Sequence, residues 1–320
     1  MRIGLLNNLF SGRNDTQVAR LLSHLGGRRD IAHVETSCAG AVPEALSELE
    51  RQGVELLVVN GGDGTLQHVL TEILGGDGFE GRVPLLAVLR GGRTNMTALD
   101  LGTGRDPVRA MARLIEAARK GDVQRRVLER RVLRVQYGPM REVRYSMFFG
   151  AGVIHRGIEL VHRVFPKGRS QGVFGASVVT GTLLARMALL GDSGGVLTPD
   201  KVSILLDRSP ADRGESSLVM ATSLDRLFLR MRPFWGRGPG GVRFTSIAAG
   251  ADRIGRALPG ILAGRPAKRV DERSGYTSRN ARRVDLRMSC GFTVDGELVE
   301  PAGDRIVSIT ADDVVRFVRA

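Results

Sequence analysis

The chain has few cysteines and few aromatic residues, and both shortages narrow what it can be. Cys38 and Cys290 are the only cysteines among 320 residues. Neither a disulfide framework nor a cysteine-rich metal site is therefore expected, and a reducing compartment is favoured. Aromatic residues make up 5% of the sequence, which disfavours recognition of single-stranded nucleic acid by base stacking.

Long apolar runs are also absent, and acidic residues are in deficit. No window reaches the roughly 20 apolar residues that a membrane-spanning helix requires, and residues 1–7 turn polar too early for a signal peptide. The 34 acidic residues stand against 47 Lys and Arg, which gives a formal net charge of +13. We expect a cytoplasmic protein, peripheral at the inner membrane surface, whose partner is an anionic surface or a phosphate-bearing substrate. Nucleic acid is not expected as a partner, because the net charge is its only support.

The first 124 residues alternate short apolar strands with helices. Strands are predicted at residues 3–6, 32–36, 56–59 and 84–89, and the clearest helix is the amphipathic segment 107–120. This alternation indicates a doubly wound parallel α/β sheet. Ligands of such sheets bind outside the carboxyl ends of the strands, so residues 1–124 are predicted to form a nucleotide-binding domain.

The pattern changes near residue 125. Residues 125–320 are predicted to form a mainly antiparallel β-sandwich domain with a helical insertion at 153–165 and 172–190. The last strand is a candidate to return to the first domain. The predicted strands are 126–137, 143–149, 201–207, 217–222, 242–247, 283–288, 292–294, 305–310 and 314–318.

Three polar, glycine-containing loops fall at the predicted carboxyl edge of the first domain. The central loop reads Gly61-Gly62-Asp63-Gly64-Thr65, and it follows a buried strand and opens a helix. This geometry aims backbone N–H groups at a phosphate, and glycine permits the close approach of a ligand. The other two loops contain Asn8 and Asn95. A tight turn needs no carboxylate at its centre, so Asp63 points to chemistry.

The central loop matches neither of two familiar nucleotide motifs. The sequence contains no Gly-x-x-x-x-Gly-Lys-Ser/Thr, and the loop does not read Gly-x-Gly-x-x-Gly. Since a carboxylate repels phosphate, Asp63 would act through a divalent cation or accept a proton from a hydroxyl. Both roles belong to phosphoryl transfer from a nucleotide to an alcohol. Arg13, Arg90 and Arg93 could neutralise phosphate oxygens, or could be solvated surface side chains.

The central loop resembles the signature of the diacylglycerol kinase catalytic-domain family, which is related to sphingosine, ceramide and, more distantly, NAD kinases. Residues 8–13 are similar to the family's Asn-Pro-x-Ser-Gly-Arg/Lys loop, with Leu9 in place of proline. Residues 92–95 are similar to its Gly-Thr-x-Asn, with Arg93 in place of threonine. The resemblance extends over essentially the whole chain and implies a bacterial-type lipid kinase that uses ATP and Mg²⁺.

The resemblance also implies roles for individual residues. It makes Asp63 the catalytic residue, and Asp63 and Glu297 the metal ligands. Glu297 ends Asp295-Gly296-Glu297, which is similar to a late motif of the family; the alternative is a hairpin turn, because Asp-Gly favours type I′. The implied nucleotide-binding residues are Asn8, Ser11, Gly12, Arg13, Thr36, Gly61, Gly62, Gly64, Thr65, Gly92, Arg93, Thr94, Asn95 and Glu297.

One departure from the family pattern affects the mechanism. Bacterial diacylglycerol kinases of this family usually carry an Asp-Gly pair in the second domain that supplies a base, whereas residues 233–243 contain no acid. In sphingosine kinases the first-domain aspartate is the proposed base, so by resemblance Asp63 takes that role and a sphingolipid-type acceptor gains weight. The same departure is compatible with weak or absent kinase activity.

These observations predict an ATP- and Mg²⁺-dependent kinase that transfers the γ-phosphate to a hydroxyl of ceramide, a sphingoid base or diacylglycerol. The alternatives are an NAD kinase-like enzyme and a catalytically weak protein that binds lipid or an anionic membrane. Basic side chains near apolar segments suit docking on such a membrane, for example Arg226, Arg230, Arg232 and Arg237. A homodimer is left open.

Overall fold

The chain folds as two units. A computed structural model describes residues 1–12, 14–28, 30–76, 78–164, 198–211 and 214–320. The first unit contains Met1–Arg131, Arg226–Phe228 and Val314–Ala320, and the second contains Val132–Asp225 and Leu229–Asp313. Arg13 and the helix predicted at 172–190 lie outside the described residues.

The first unit is built on a six-stranded sheet. Its strands are β1 (Ile3–Asn8), β2 (Ile31–Thr36), β3 (Leu56–Gly61), β4 (Leu85–Arg90), β5 (Val127–Arg131) and β18 (Val314–Val318). Their order is β2-β1-β3-β4-β18-β5, parallel as far as β18, with β5 antiparallel at the edge. The α-helices of this unit are α1 (Asn14–Leu25), α2 (Val42–Arg51), α3 (Asp63–Gly75), α4 (Met96–Asp100) and α5 (Pro107–Lys120).

Helices cover both faces of this sheet because its central strands are apolar on both sides. All six residues of β3 are buried. Helices α1 and α5 pack on the face that carries Leu5 and Val58, while Leu49 of α2 packs against Gly4 on the opposite face. The predicted parallel α/β architecture is therefore confirmed.

The single strand predicted over residues 126–137 is two strands in different sheets. β5 pairs with β18 in the first unit, whereas β6 (Leu133–Tyr137) pairs with strands of the second. Val132, between them, donates its N–H to the carbonyl of Asp313 at 2.9 Å and so leaves the register of β5. The first segment of the first unit consequently runs to Arg131, where the sequence analysis places the boundary after residue 124.

The second unit contains a large antiparallel sheet. Among the described residues its strands are β6, β7 (Glu142–Ser146), β8 (Phe148–Gly152), β9 (Asp200–Leu206), β10 (Ser209–Pro210), β11 (Glu215–Thr222), β12 (Val242–Ala248), β13 (Tyr276–Ala281), β14 (Arg283–Met288), β15 (Phe292–Val294), β16 (Glu297–Val299) and β17 (Arg305–Thr310). The described α-helices of this unit are α6 (Val153–Val164) and α7 (Ile254–Leu262). None of the helices in the described ranges is both long and apolar enough to cross a membrane.

This sheet curls until distant strands share one core. The strand order is β16-β15-β8-β11-β9-β14-β17-β6-β7, with β12 and β13 branching from β11 and β10 beside β9. Tyr137 on β6 nevertheless meets Phe292 on β15 with ring centroids 5.1 Å apart, although five strands separate them in that order. The β-sandwich predicted from the sequence is not what forms: the described strands make one continuous hydrogen-bonded sheet around a single buried cluster.

Inside the first unit, the buried side chains of Asn7 and Asn60 and the half-buried side chain of His33 form a hydrogen-bonded chain near the carboxyl edge of the sheet. Asn60 Nδ2 donates to Asn7 Oδ1 at 2.8 Å, which turns the amide nitrogen of Asn7 toward His33 Nε2, 2.7 Å away. A donor at that distance requires an unprotonated Nε2, so His33 is neutral. Burial agrees, because it lowers the pKa of His33, while Glu35 partly opposes the shift.

We predict that acidification destabilises the protein partly through His33. Its folded pKa lies below the unfolded value of about 6.5, so its contribution to stability is full above that pH and is lost as pH falls through the window below it. The free energy of urea unfolding should drop between neutral and mildly acidic pH, and it should drop less in a His33→Gln variant. Equal pH dependence in both proteins contradicts the assignment.

Candidate functional site

The three predicted loops do meet at one edge of the first-unit sheet. β1, β3 and β4 are parallel neighbours, and their register sets Asn7 beside Asn60 and Gly61 beside Arg90. The chain leaves β1 toward β2 on one side and reaches β3 on the other. The strand order therefore reverses at β1, and such a switch point is where open α/β sheets bind ligands.

The carboxylate of Asp63 joins two of these loops. Asp63 is the first residue of α3, and its Oδ2 and Oδ1 accept the N–H groups of Met96 and Thr97, each at 2.9 Å. Those N–H groups open α4, so they have no partner within their own helix. A negative charge at this position also faces the positive end of the α4 backbone dipoles. The loop after β3 is thereby fastened to the loop after β4.

The ionisation of Asp63 is costly at this position. Burial raises the pKa of its carboxyl above the ordinary value, although the N–H groups of Thr97 and Met96 act in the opposite direction. A carboxyl with a raised pKa holds a transferred proton more readily than a solvated one. A shift of this kind in a loop at a ligand-binding edge is a feature of functional sites.

The same two loops approach each other through glycine. A Cβ built on Gly92 would stand 2.3 Å from the Cα of Gly62, inside any permitted contact. A Cβ built on Gly62 would stand 3.2 Å from the Cα of Gly92 and 3.5 Å from the Ser11 hydroxyl oxygen. The backbones of the two loops therefore touch, and the loop after β1 lies alongside them.

The first loop is held to the central loop by a side-chain hydrogen bond. Asn8 Nδ2 donates to the hydroxyl of Thr65 at 2.8 Å. The other end of that amide, Oδ1, accepts the N–H of Phe10 at 3.0 Å, which shapes the turn that follows β1. Thr65 thus links the start of α3 to the end of β1.

The side chain of Asn95 stabilises its own loop, which follows β4. Asn95 adopts the left-handed conformation with φ 52°, which Asn tolerates better than most residues. Its side chain accepts the N–H of Gly92 at 2.7 Å and donates to the carbonyl of Gly92 at 2.6 Å. These two bonds close the loop and set the N–H groups of α4 toward Asp63.

The remaining predicted loop residues occupy different surroundings. The side chain of Arg93 lies over Gly12, where a Cβ would meet its Cγ at 2.7 Å. Thr94 is half-buried. Thr36 is buried, and its hydroxyl donates to the carbonyl of Asn7 at 3.4 Å. Arg93 is therefore placed to reach a ligand at this edge, whereas the Thr36 hydroxyl is used inside the sheet.

The start of α3 keeps backbone donors without an acceptor. Gly62 caps the helix and offers no side-chain hydrogen bond, and the first amide with a backbone acceptor here is that of Leu66, which donates to Gly62. In the part of the chain that the structure describes, no backbone oxygen accepts the N–H groups of Gly64 and Thr65. Such N–H groups at a helix N-terminus are the usual ligands of phosphate.

A divalent cation fits this site only together with a bound anion. No group of three or more His, Cys, Asp or Glu side chains suited to a metal ion occurs in the described ranges. Mg²⁺ is commonly held by one or two carboxylates, substrate phosphates and water rather than by an all-protein cage. A single aspartate beside open phosphate donors suits that mode, with Asp63 as the carboxylate.

Glu297 belongs to the second unit. It opens β16 directly after a two-residue turn in which Asp295 and Gly296 have φ values of 48° and 90°. Val294 pairs with Glu297 across that turn, so the hairpin expected of Asp-Gly is present. The side chain of Asp295 accepts the N–H of Met147 at 2.9 Å, where the strand predicted at 143–149 breaks into β7 and β8. The metal role of Glu297 stays a prediction.

A carboxylate from outside the acid-free stretch 233–243 contacts that stretch, and it was not predicted from the sequence. Asp225 Oδ1 accepts from the guanidinium of Arg243 at 2.5 Å. Asp225 lies eighteen positions before Arg243 in the sequence, and only the packing of the second unit brings the two together. In a chain with 47 Lys and Arg, Arg243 by itself gives no sequence signal for this contact.

We predict that Gly92→Ala disrupts the site far more than Gly62→Ala does. The new Cβ of Gly92→Ala would lie 2.3 Å from the backbone Cα of Gly62. The new Cβ of Gly62→Ala would lie 3.2 Å from the Cα of Gly92, which a small shift can relieve. Overpacking of this kind costs about 1–3 kcal/mol. Thermal unfolding and binding of a fluorescent ATP analogue should both weaken more in Gly92→Ala. Equal effects of the two variants would speak against the close contact of the loops.

Comparisons with known proteins give one family match and several structures of similar fold. Residues 2–125 match the family model of the diacylglycerol kinase catalytic domain. A search of curated proteins gives no match. Two provisionally assigned diacylglycerol kinases from Bacillus anthracis str. Sterne superpose with TM-scores of 0.67 and 0.65 at 16% identity, covering 100% of this chain and 95% and 97% of theirs. A diacylglycerol kinase from the same organism superposes with a TM-score of 0.62 at 14% identity, covering 100% and 97%. The fold of these structures is shared over the whole chain, and residues 2–125 are the part that matches the diacylglycerol kinase catalytic domain.

Proposed function

We propose that the protein is an ATP-dependent kinase that phosphorylates a hydroxyl group of a long-chain lipid. The observation that carries the proposal is the clasp of Asp63 on Met96 and Thr97, which builds one site from two glycine loops at the switch point of the sheet. The match of residues 2–125 to the diacylglycerol kinase catalytic domain supports the same reaction class.

The nucleotide phosphates bind where the first unit offers donors. The N–H groups of Gly64 and Thr65 form an anion site at the start of α3, and Arg93 supplies a positive charge from the neighbouring loop. Glycine at position 62 leaves the backbone accessible to the phosphate chain. The loop residues Asn8 and Asn95 hold this surface in shape through the hydrogen bonds described above.

Asp63 performs the acid–base work of the transfer. Each of its oxygens accepts one N–H bond and keeps a second lone pair, so the carboxylate can still receive the proton of the acceptor hydroxyl or bind a cation. Mg²⁺, when bound with ATP, neutralises charge on the phosphate oxygens. Asp63 is the first-unit carboxylate that would hold it, and we propose Glu297 as the second-unit contribution.

The acceptor is proposed to be a lipid alcohol of the diacylglycerol, ceramide or sphingoid class. The structural relatives described as diacylglycerol kinases support the first of these. The absence of an acid in 233–243 favours a sphingolipid-type acceptor by resemblance, and Asp225 is a second-unit carboxylate that could replace the missing base. Both arguments leave a lipid hydroxyl as the target.

We predict transfer of labelled phosphate from ATP to at least one lipid acceptor in the presence of Mg²⁺. Diacylglycerol, ceramide and sphingosine would be dispersed in detergent and compared with NAD in the same assay, and an Asp225→Asn variant would be tested on the preferred lipid. Phosphorylation of NAD alone would move the protein to the NAD kinases. ATP binding with no transfer to any lipid would indicate that the protein binds nucleotide without acting as a kinase.

We predict that Asp63→Asn abolishes transfer at a modest cost in stability. Asn keeps one acceptor oxygen, so one hydrogen bond from a backbone N–H to a charged group is lost at a cost of about 1.5–3 kcal/mol, and removing a charge whose burial is unfavourable offsets part of that loss. Transfer should fall by about 100-fold or more, since proton transfer to a positioned side chain contributes that much. Asp106→Asn is the matched control, because Asn caps α5 as well as Asp does. Undiminished transfer in Asp63→Asn would exclude its assigned role.

A further inference from the structure

The positive charge of the second unit is concentrated in one stretch. Residues 229–273 contain ten Lys or Arg side chains and three acidic side chains, so they carry +7 of the net charge of +13. Two of the three acids are already engaged. Asp271 caps the short helix Glu272–Ser274, and Glu272 pairs with Arg279 at 2.6 Å. The stretch therefore presents a strongly basic surface.

The cations of this stretch are exposed and, with one exception, carry no ion pair. The exception is Arg243, which pairs with Asp225. Within the described ranges none of the others forms a salt bridge, and all of them are solvent-exposed: Arg230, Arg232, Arg237, Arg253, Arg256, Arg265, Lys268, Arg269 and Arg273. Unneutralised cations at this density repel one another unless an anionic partner covers them.

Two parts of the stretch lie against each other at the end of α7. The N–H of Arg232 donates to the carbonyl of Leu262 at 2.8 Å. The carbonyl oxygen of Arg232 lies 2.8 Å from the position that a Cβ on Gly264 would take, and Arg265 follows directly. We define residues 229–232, 253–262 and 265–269 as the α7 surface.

Apolar side chains lie among the cations of the α7 surface. Leu229 is 61% exposed and has a left-handed backbone with φ 54°, which a bulky residue rarely adopts. Ile254 and Leu262, at the two ends of α7, are half-buried, whereas Leu258 and Ile261 are buried. Phosphate backbones of nucleic acids give aliphatic side chains nothing to contact, but a membrane interface accepts both kinds of group.

We propose that the α7 surface docks the protein on a bilayer that contains anionic phospholipids. Its cations contact the lipid headgroups, and Leu229 enters the interface between headgroups and acyl chains. Access to a lipid acceptor as the purpose of this docking rests on the proposed function. Binding to the bilayer is a property of the surface alone and can be measured without catalysis.

The test is sedimentation of the whole chain with vesicles of phosphatidylcholine, alone or mixed in equal parts with phosphatidylglycerol. Wild type should bind the mixed vesicles only, and less at high salt. The triple variant R265Q/K268Q/R269Q should bind about a hundred-fold more weakly, since each cation near an anionic membrane contributes about five-fold. The control R20Q/R105Q/R119Q removes the same charge from exposed positions of the first unit and should bind like wild type.

A second variant tests the apolar contact. Leu229→Asn keeps a residue that tolerates the left-handed backbone, so the fold should hold, and vesicle binding should fall by about ten-fold. The salt dependence should not change, because no charge is removed.

Three results would overturn the docking surface. The triple variant could bind as wild type does, the control could lose as much binding as the triple variant, or wild type could bind duplex DNA through the same residues and ignore vesicles. Transfer to detergent-dispersed lipid is measured in parallel. If neither wild type nor any variant transfers phosphate, the proposed function is rejected and the vesicle-binding result still stands.

Discussion

The carboxylate of Asp63 is the constraint on which the site depends. It accepts N–H groups that belong to the start of another helix, 33 and 34 positions further along the chain. Each hydrogen bond to a charged group contributes about 1.5–3 kcal/mol, which offsets part of the cost of burying the charge. The pairing of Gly61 with Arg90 brings the two loops side by side, and the clasp fixes them beyond the strand ends, where their direct contact is glycine on glycine.

This balance has consequences for function. A favourable ion pair would keep the Asp63 carboxyl in its charged form. A site without hydrogen-bond donors would leave the carboxylate to be solvated by water. Here burial outweighs the donors, and the pKa of Asp63 is raised. The carboxyl of Asp63 therefore holds a proton more readily than a solvated carboxyl does, which suits proton transfer. Natural proteins retain unfavourable arrangements of this kind mainly where activity depends on them.

The loops after β1, β3 and β4 could be predicted from the sequence, but the contacts between them could not. Parallel strands that end in polar glycine loops must present them at one edge, so Asn8, Asp63 and Asn95 could be grouped from spacing alone. The partners of Asp63 are backbone N–H groups, which every non-proline residue possesses, so no side-chain pattern identifies Met96 or Thr97. The same limit applies to Asp225, whose contact with Arg243 exists only after β12 has formed.

The fold was predictable where burial follows a simple period. β14, β15, β17 and β18 have the predicted bounds, because alternating or continuous apolar residues mark them. β13 was missed because its sequence, Tyr-Thr-Ser-Arg-Asn-Ala, is mostly polar. It is a strand because β12 pairs with it. Its outer side is covered by the glycine-rich segment around Gly236, which lies close to the backbone of Ser278.

Asp295 and Asp63 show why a structural role does not by itself exclude a chemical one. Both carboxylates accept backbone N–H groups from distant parts of the chain, and both stand next to glycine. Asp295 is buried where β7 gives way to β8, and it stands in the turn of the β15–β16 hairpin. Asp63 stands at the ligand-binding edge of a parallel sheet, beside the N–H groups of Gly64 and Thr65, which no backbone oxygen of the described residues accepts. The surroundings of a carboxylate, more than its hydrogen bonds, therefore distinguish a residue of a structural turn from a residue of an active site.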